Sequence, residues 1–270
     1  MKSLWLVESF DSLSLENLNA KAAMLDRLDN KYIIHQEVLK EALPKLIKLF
    51  EVLEIEGNRH FGYKTVYFDS KDFDSYYDHH QGRRQRCKIR VRKYLDTQAC
   101  FLEVKLKDKR GATIKKRMAY NPENMKVLNA KAYTFIQHAY SERYGREFSL
   151  PLNPVLEIHY QRITLVAKEG GERMTIDSHL RFNSNQQLHY YLVDDALFII
   201  ETKSDKGNGI ADKVLRQLHQ HPIQRCSKYC VGMATLQEVK KHNKFMPALK
   251  KLNILSSLQS RVDQNFINAA

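Results

Sequence analysis

The sequence predicts an α+β fold in which a barrel of about eight strands encloses a polar, basic interior and is flanked by helices. Three observations lead to it. Short segments of strand-forming residues recur along the chain, and in most of them charged and apolar side chains alternate. Successive side chains of a strand point to opposite faces, so each segment carries one charged and one apolar face. Helix-compatible stretches with apolar stripes separate these segments, and they can cover the apolar faces from outside while the charged faces meet within.

Ser14 to Leu28 is helix-compatible and runs into a strand from Arg27 to Ile34, with Arg27, Asp29 and Lys31 on one face. Between Gln36 and Leu53 apolar residues return at helical spacing, and Pro44 is placed to end or kink that helix. Lys64 to Asp69 is rich in β-formers, and Asp72 to His80 is polar and aromatic, a loop or short helix. His79 and His80 are adjacent, which does not aim both at one ion, so a solvated segment is expected there. The clearest alternation follows in Lys88-Ile89-Arg90-Val91-Arg92 and, beyond the turn residues Asp96-Thr97, in Leu102-Glu103-Val104-Lys105-Leu106-Lys107. Paired as a hairpin, they line one surface with Arg90, Arg92, Glu103 and Lys105. Ala112 to Met118 is a further basic strand, and Pro122 to Tyr144 a helical connection. Val155 to Val166 places Tyr160 and Arg162 on one face, Glu172 to His179 does the same for Arg173, Thr175 and Asp177, and Leu197 to Lys203 for Glu201 and Lys203. A helix within Asp205 to His221 presents Ile210, Val214, Leu215 and Leu218; Ser227-Lys228-Tyr229 follows, and Leu236 to Ile254 is helix-compatible and basic. With no internal repeat or low-complexity linker, one domain is expected over 1–270, its core at about 25–236 and a helical tail over 237–270.

A formal charge of +13 directs attention to an anionic partner. No apolar run is long enough to span a bilayer, and Met1 to Phe10 lacks the apolar core of a secretory signal. Cys87, Cys100, Cys226 and Cys230 have no framework spacing and read as reduced thiols of a cytoplasmic protein; Cys226 and Cys230 have no second ligand pair nearby to make a zinc site. Turning the charged faces inward gathers Arg27, Asp29, Lys31, Arg90, Arg92, Lys105, Arg162, Arg173, Glu201, Lys203 and Lys228. Cations so confined repel one another unless an anion lies among them, which points to a triphosphate or polyphosphate, with the few acids placed to hold a bridging divalent metal. Nucleic acid fits less well. Stacking surfaces mix aromatics with the cations, whereas most aromatics here fall in the apolar phase, Tyr160 being the main exception.

The ordered set Arg27-x-Asp29-x-Lys31-Tyr32, Tyr67-Phe68-Asp69, Lys88-Ile-Arg-Val-Arg92, Phe101-Leu-Glu-Val-Lys105, Tyr160-x-Arg162, Arg173-x-Thr-x-Asp177, Glu201-Thr-Lys203 and Ser227-Lys228-Tyr229 resembles the VTC domain. That is the polyphosphate polymerase domain of the triphosphate tunnel metalloenzyme superfamily, and the likeness runs from Leu25 to Leu236. It implies an eight-stranded antiparallel tunnel and transfer of the γ-phosphate of ATP to a growing inorganic polyphosphate chain, dependent on Mn2+ or Mg2+. It also implies that Lys31, Arg90, Arg92, Lys105, Arg162 and Lys228 are catalytic cations holding phosphates, with Arg173 and Ser227 beside them and Glu201 as the metal ligand. Arg27, Lys88, Lys116, Tyr160 and Lys203, on the same basic strands, are expected as further phosphate contacts. The hydrolase branch begins Glu-x-Glu-x-Lys; here that frame reads Arg27-x-Asp29-x-Lys31, which removes metal-binding acid and is similar to the polymerase branch. The inositol-phosphate-sensing domain and membrane spans of eukaryotic polymerase subunits are not seen, so membrane association would come through a membrane-protein partner.

A terminal polyphosphate oxygen is already anionic near neutral pH, so phosphoryl transfer to it asks for alignment and charge neutralisation rather than a base. Hydrolysis must also activate water, for which acids or histidine are usual. The expected lumen has few acids, which favours transfer. The alternatives are a tunnel-fold inorganic or nucleoside triphosphatase and a non-catalytic polyphosphate- or nucleotide-binding module. Tyr32 and Tyr229 are expected in the core, Asp29 and Asp177 as counter-charges to their cationic neighbours, and Glu103 in either role.

Overall fold

The computed structural model describes residues 6–21, 28–185 and 189–254. Strand β1 (Ser12–Leu13) and helix α1 (Leu15–Lys21) precede β2 (Leu28–His35), α2 (Gln36–Leu49), β3 (Phe50–Leu53) and β4 (Phe61–Asp69). Helix α3 (Asp74–Gln81) leads into the meander β5 (Arg86–Tyr94), β6 (Cys100–Lys107) and β7 (Thr113–Ala119). After α4 (Ala130–Tyr144) come the long strands β8 (Asn153–Ala167) and β9 (Arg173–Ser184), then β10 (Tyr190–Leu192) and β11 (Leu197–Ser204). Helices α5 (Ile210–Gln217), α6 (Lys228–Thr235) and α7 (Met246–Lys251) close the chain.

The main path of the sheet runs β2-β11-β9-β8-β4-β5-β6-β7, every neighbouring pair antiparallel. This is the expected eight-stranded antiparallel sheet. Among the described residues no ladder joins β7 to β2, so hydrogen bonds do not close it. It is nevertheless strongly curled. Lys31 on β2 and Glu201 on β11 both act on the charge of Lys105 on β6. In a flat sheet they would lie six and five strand spacings from it, about 24–29 Å. Such distances would leave almost no interaction, so the two arms of the sheet face each other across a concave interior.

The convex side is apolar and covered by helices, as the alternation requires. Tyr32, Ile34, Ile163, Leu165, Met174, Ile176, Phe198 and Ile200 pack against Leu39, Ala42 and Leu46 of α2 and Val214 and Leu215 of α5. Val66, Phe68, Ile89, Val91, Leu102, Val104 and Leu106 pack against Ala132, Ile136 and Ala139 of α4. Tyr32 is in the core, as expected, with its hydroxyl donating to Asp212 at 2.6 Å. Asp212 also accepts from Asn30 Nδ2, Thr202 Oγ1 and Gly209 N at 2.7–3.0 Å. Because Tyr32 and Thr202 adjoin Lys31 and Glu201, this outside carboxylate fixes which way those two charges point inside.

Several local expectations are corrected. Helix α2 continues through Pro44, because Leu39, Ala42 and Leu46 on its buried stripe offset the bond the proline removes; it then gives way to strand β3 instead of reaching Leu53 as a helix. Residues 72–80 hold the expected short helix, α3 from Asp74, but it is not solvated at His80, which is 7 % exposed with its Nε2 paired to Asn243 Oδ1 at 2.7 Å. Tyr229 to Thr235 form a helix in which every residue is buried, and such a helix shows no polar face to betray its period. The short strands β1 and β10 have no counterpart among the expected elements. Arg27 lies outside the described residues.

Candidate phosphate-binding site

Ladder register assigns the concave face. Lys88, Arg90 and Arg92 of β5 stand opposite Lys105, Glu103 and Phe101 of β6, and Lys105 and Glu103 stand opposite Lys115 and Arg117 of β7. From the other arm come Lys31 and Asp29 of β2, Glu201 and Lys203 of β11, Arg173 and Asp177 of β9, and Arg162 of β8. Register also corrects one assignment. Lys116 pairs with Val104, lies on the convex side, and bonds Glu142 of α4. Its place inside is taken by Lys115.

Helix α6 seats its apolar body against the concave side, and its N-terminus adds polar groups. A Cβ on Gly232 would stand 2.8 Å from both Leu156 and Phe182, so only glycine allows the helix this depth. Ser227, just before the helix, accepts from Lys88 Nζ at 2.8 Å, and Lys228 Nζ donates to Asp177 Oδ2 at 2.5 Å. The same helix start therefore touches β5 and β9 across the interior.

Four acids, Asp29, Glu103, Asp177 and Glu201, stand among these cations, and they differ. Asp177, fully buried, receives Arg162 as a two-pronged donor at 2.6 and 2.7 Å as well as Lys228. Burial alone would raise its carboxyl, but Arg162 and Lys228 hold it below the usual range. Glu103, 1 % exposed, takes Arg90 at 2.6 Å and Lys115 at 3.1 Å; against the burial effect, Arg90, Arg92 and Lys115 keep it at about 2. Both are counter-charges with their oxygens engaged. Glu201 is more open, 16 % exposed, with Lys31 at 3.7 Å and Lys203 beside it. Lys31 and Lys203 outweigh burial and hold Glu201 ionised well below the usual carboxylate range. Asp29 binds Lys203 at 2.9 Å, as expected of a counter-charge.

Aromatics play a larger part than the sequence indicated. Tyr63 and Tyr160 stack at 5.0 Å and 8°, and the guanidiniums of Arg92 and Arg162 each lie 5.3–5.9 Å from both rings. Lys228 Nζ is 5.1 Å from the Tyr160 ring. The negative ring faces add to the Asp177 carboxylate, which lies between Arg162 and Lys228, in letting the three cations approach one another. The Tyr160 hydroxyl is buried and has no hydrogen-bond partner among the described residues. Tyr63 and Tyr67 thus join Tyr160 on the charged face, contrary to the expectation that it was the main exception. Their strand is apolar on both faces, so period two gave no sign of which rings point inward.

Lys105 and Lys88 both feel the confinement. The Lys105 ammonium loses hydration between the walls, although the side chain remains open to solvent, and with Lys88, Lys31 and Arg90 near it the pKa falls to about 8 despite Glu201. Burial and the neighbouring cations Arg86 and Lys31 lower Lys88 too. An anion threaded here would relieve both. Of the expected site residues, the fold brings together Lys31, Lys88, Arg90, Arg92, Lys105, Tyr160, Arg162, Arg173, Glu201, Lys203, Ser227 and Lys228.

Among the described residues no three His, Cys, Asp or Glu side chains are grouped to hold a metal. The donor set still fits a hard divalent ion of the kind that takes one or two carboxylates and completes its shell with phosphate oxygens and water. Glu201 would hold it, with Asp29 close by, since Lys203 bonds both. Among the described residues no helix is long and apolar enough to cross a membrane.

The sequence model of the VTC domain matches residues 26–237. No curated protein matches the chain. Solved structures with similar folds include the PH1819 protein of Pyrococcus horikoshii, 14 % identical, with a TM-score of 0.44 over 77 % of this chain and 98 % of that one. A Hippeastrum adenylyl cyclase candidate described as having dominant triphosphatase activity is 12 % identical, with a TM-score of 0.46 over 77 % and 96 %. An adenylate cyclase candidate from Bacillus halodurans is 11 % identical, with a TM-score of 0.45 over 75 % and 95 %.

Proposed function

The chain belongs to the VTC domain family, and from that membership we propose that it is a polyphosphate polymerase. A terminal oxygen of polyphosphate attacks the γ-phosphorus of ATP, the bond to the β–γ bridging oxygen breaks, and ADP leaves: NTP + polyphosphate(n) → NDP + polyphosphate(n+1). Lys31, Arg90, Arg92, Lys105, Arg162 and Lys228 align the two anions and take up the charge on the transferring group, with Lys88, Arg173, Lys203, Ser227 and the Tyr160 hydroxyl as further contacts. A bound Mn2+ or Mg2+ on Glu201 would neutralise charge on the donor phosphates.

The observation that carries this reading is the state of the acids. Asp177 and Glu103 are consumed as counter-charges, which leaves Glu201 and Asp29, joined through Lys203, as the accessible carboxylates among the four. A site with that inventory is equipped to orient phosphates and poorly equipped to deprotonate water, which supports transfer over hydrolysis. Location in the cytoplasm and recruitment to a membrane by a partner protein remain part of the proposal.

The test is to incubate the purified chain with ATP and manganese, with and without a short polyphosphate primer, and resolve the products on a gel. A ladder with one ADP per phosphate added is the expected result. Orthophosphate without a ladder would make the chain a triphosphatase, and tight triphosphate binding without turnover a binding module.

A further inference from the structure

Asp69 lies outside the set of phosphate contacts, at the end of β4, and is 1 % exposed. It accepts from the backbone N–H groups of Ser70, Ser75 and Tyr76 at 2.8–3.0 Å, anchoring the start of α3, whose own preceding residue supplies no side-chain cap. Its remaining bond goes elsewhere: the Tyr229 hydroxyl donates to Oδ2 at 2.5 Å. Tyr229 sits in the first turn of α6, between Lys228 and the buried body of the helix. Its ring stacks on Tyr67 at 5.0 Å, and the Tyr67 hydroxyl accepts from Arg90 Nη1 at 3.0 Å.

We infer that Asp69, Tyr229 and Tyr67 form a positioning relay for the phosphate site, one arm ending on Lys228 and Ser227 and the other on Arg90. The inference rests on the phosphate-binding reading above. A purely structural pin would need only the α3 amides and the buried rings. Here each arm instead ends on a polar head facing the interior: Ser227 toward Lys88, Lys228 toward Asp177, and Tyr67 toward Arg90. A short helix packed by apolar contacts can still turn about its axis, and a turn carries Lys228 off its aim. The Tyr229–Asp69 bond is the directional contact that opposes such a turn.

The experiment measures tripolyphosphate affinity by calorimetry for the full chain, with thermal unfolding alongside. Tyr229→Phe keeps the ring and removes the hydroxyl, and is expected to weaken binding about tenfold. On a Lys228→Ala background the same change should cost less than about twofold, because the group it positions is gone, while on a Lys203→Ala background, whose side chain pairs with Asp29 and Glu201 and with no member of the relay, the tenfold loss should persist. Tyr67→Phe reports the second arm and should behave likewise against Arg90→Ala. Wild-type affinity in Tyr229→Phe, or the same loss on every background, would overturn the relay alone. A wild-type chain that does not bind tripolyphosphate would overturn the phosphate reading and the relay with it.

Discussion

Asp177 and Glu201 stand on adjacent strands of the same concave face, each beside two cations, yet they are built for different work. Asp177 is fully buried with both oxygens in short charge-assisted bonds, whereas Glu201 bonds Lys203, meets Lys31 only at 3.7 Å and keeps 16 % of its side chain exposed. A carboxylate sealed between Arg162 and Lys228 is the condition for packing those cations together. One left partly open, with Lys31 at 3.7 Å, can exchange that lysine for a metal or for a phosphate-bound ion. Proximity to cations therefore does not identify the functional acid; residual access sets Glu201 and its neighbour Asp29 apart from Asp177 and Glu103.

The comparison breaks first at Asp177. Replacing it with Ala leaves Arg162 and Lys228 buried without compensation and should cost roughly 3–5 kcal/mol, read as a fall in denaturation midpoint. Glu201→Gln should leave the midpoint nearly unchanged while lowering turnover by about a hundredfold or more, the scale of losing one electrostatic contributor to phosphoryl transfer. Equal destabilisation by the two changes would erase the distinction.

Smaller effects sharpen it. Above pH 8 the Lys105 ammonium is progressively lost in the free chain, since its pKa is about 8. A bound triphosphate favours the charged form, so binding must take up a proton there, and affinity should fall as pH rises through this range, by at most about tenfold per unit. Below it this group contributes no slope. Titrations at several pH values should show the bend, and Lys105→Ala should remove it. Smallest is the pair on β7: Lys115→Ala should weaken tripolyphosphate binding roughly fivefold, about 1 kcal/mol, and Lys116→Ala should leave it within about twofold.

That last pair marks where sequence reasoning ends. In Lys88 to Arg92 and Leu102 to Lys107, cations alternate with apolar residues, so the inward face is legible from period two. In Lys115-Lys116-Arg117 three cations are consecutive, and only the pairing of Lys115 with Lys105 decides which points inside. Tyr63 and Tyr67 lie on a strand buried on both faces, and α6 is buried all round, so neither carries a periodic signal. The curl that brings Glu201 to Lys105 is likewise a property of the whole sheet and of no single segment. Motif order alone pointed to Glu201; its openness relative to Asp177 and Glu103 required the packed side chains.

The most direct test is a crystal structure with manganese and a non-hydrolysable ATP analogue, the metal located by anomalous scattering. Manganese is expected on Glu201 and on the analogue's phosphate oxygens, with Asp177 still clamped by Arg162 and Lys228. Manganese on Asp177 or Glu103, or phosphates bound outside the concave face, would contradict it.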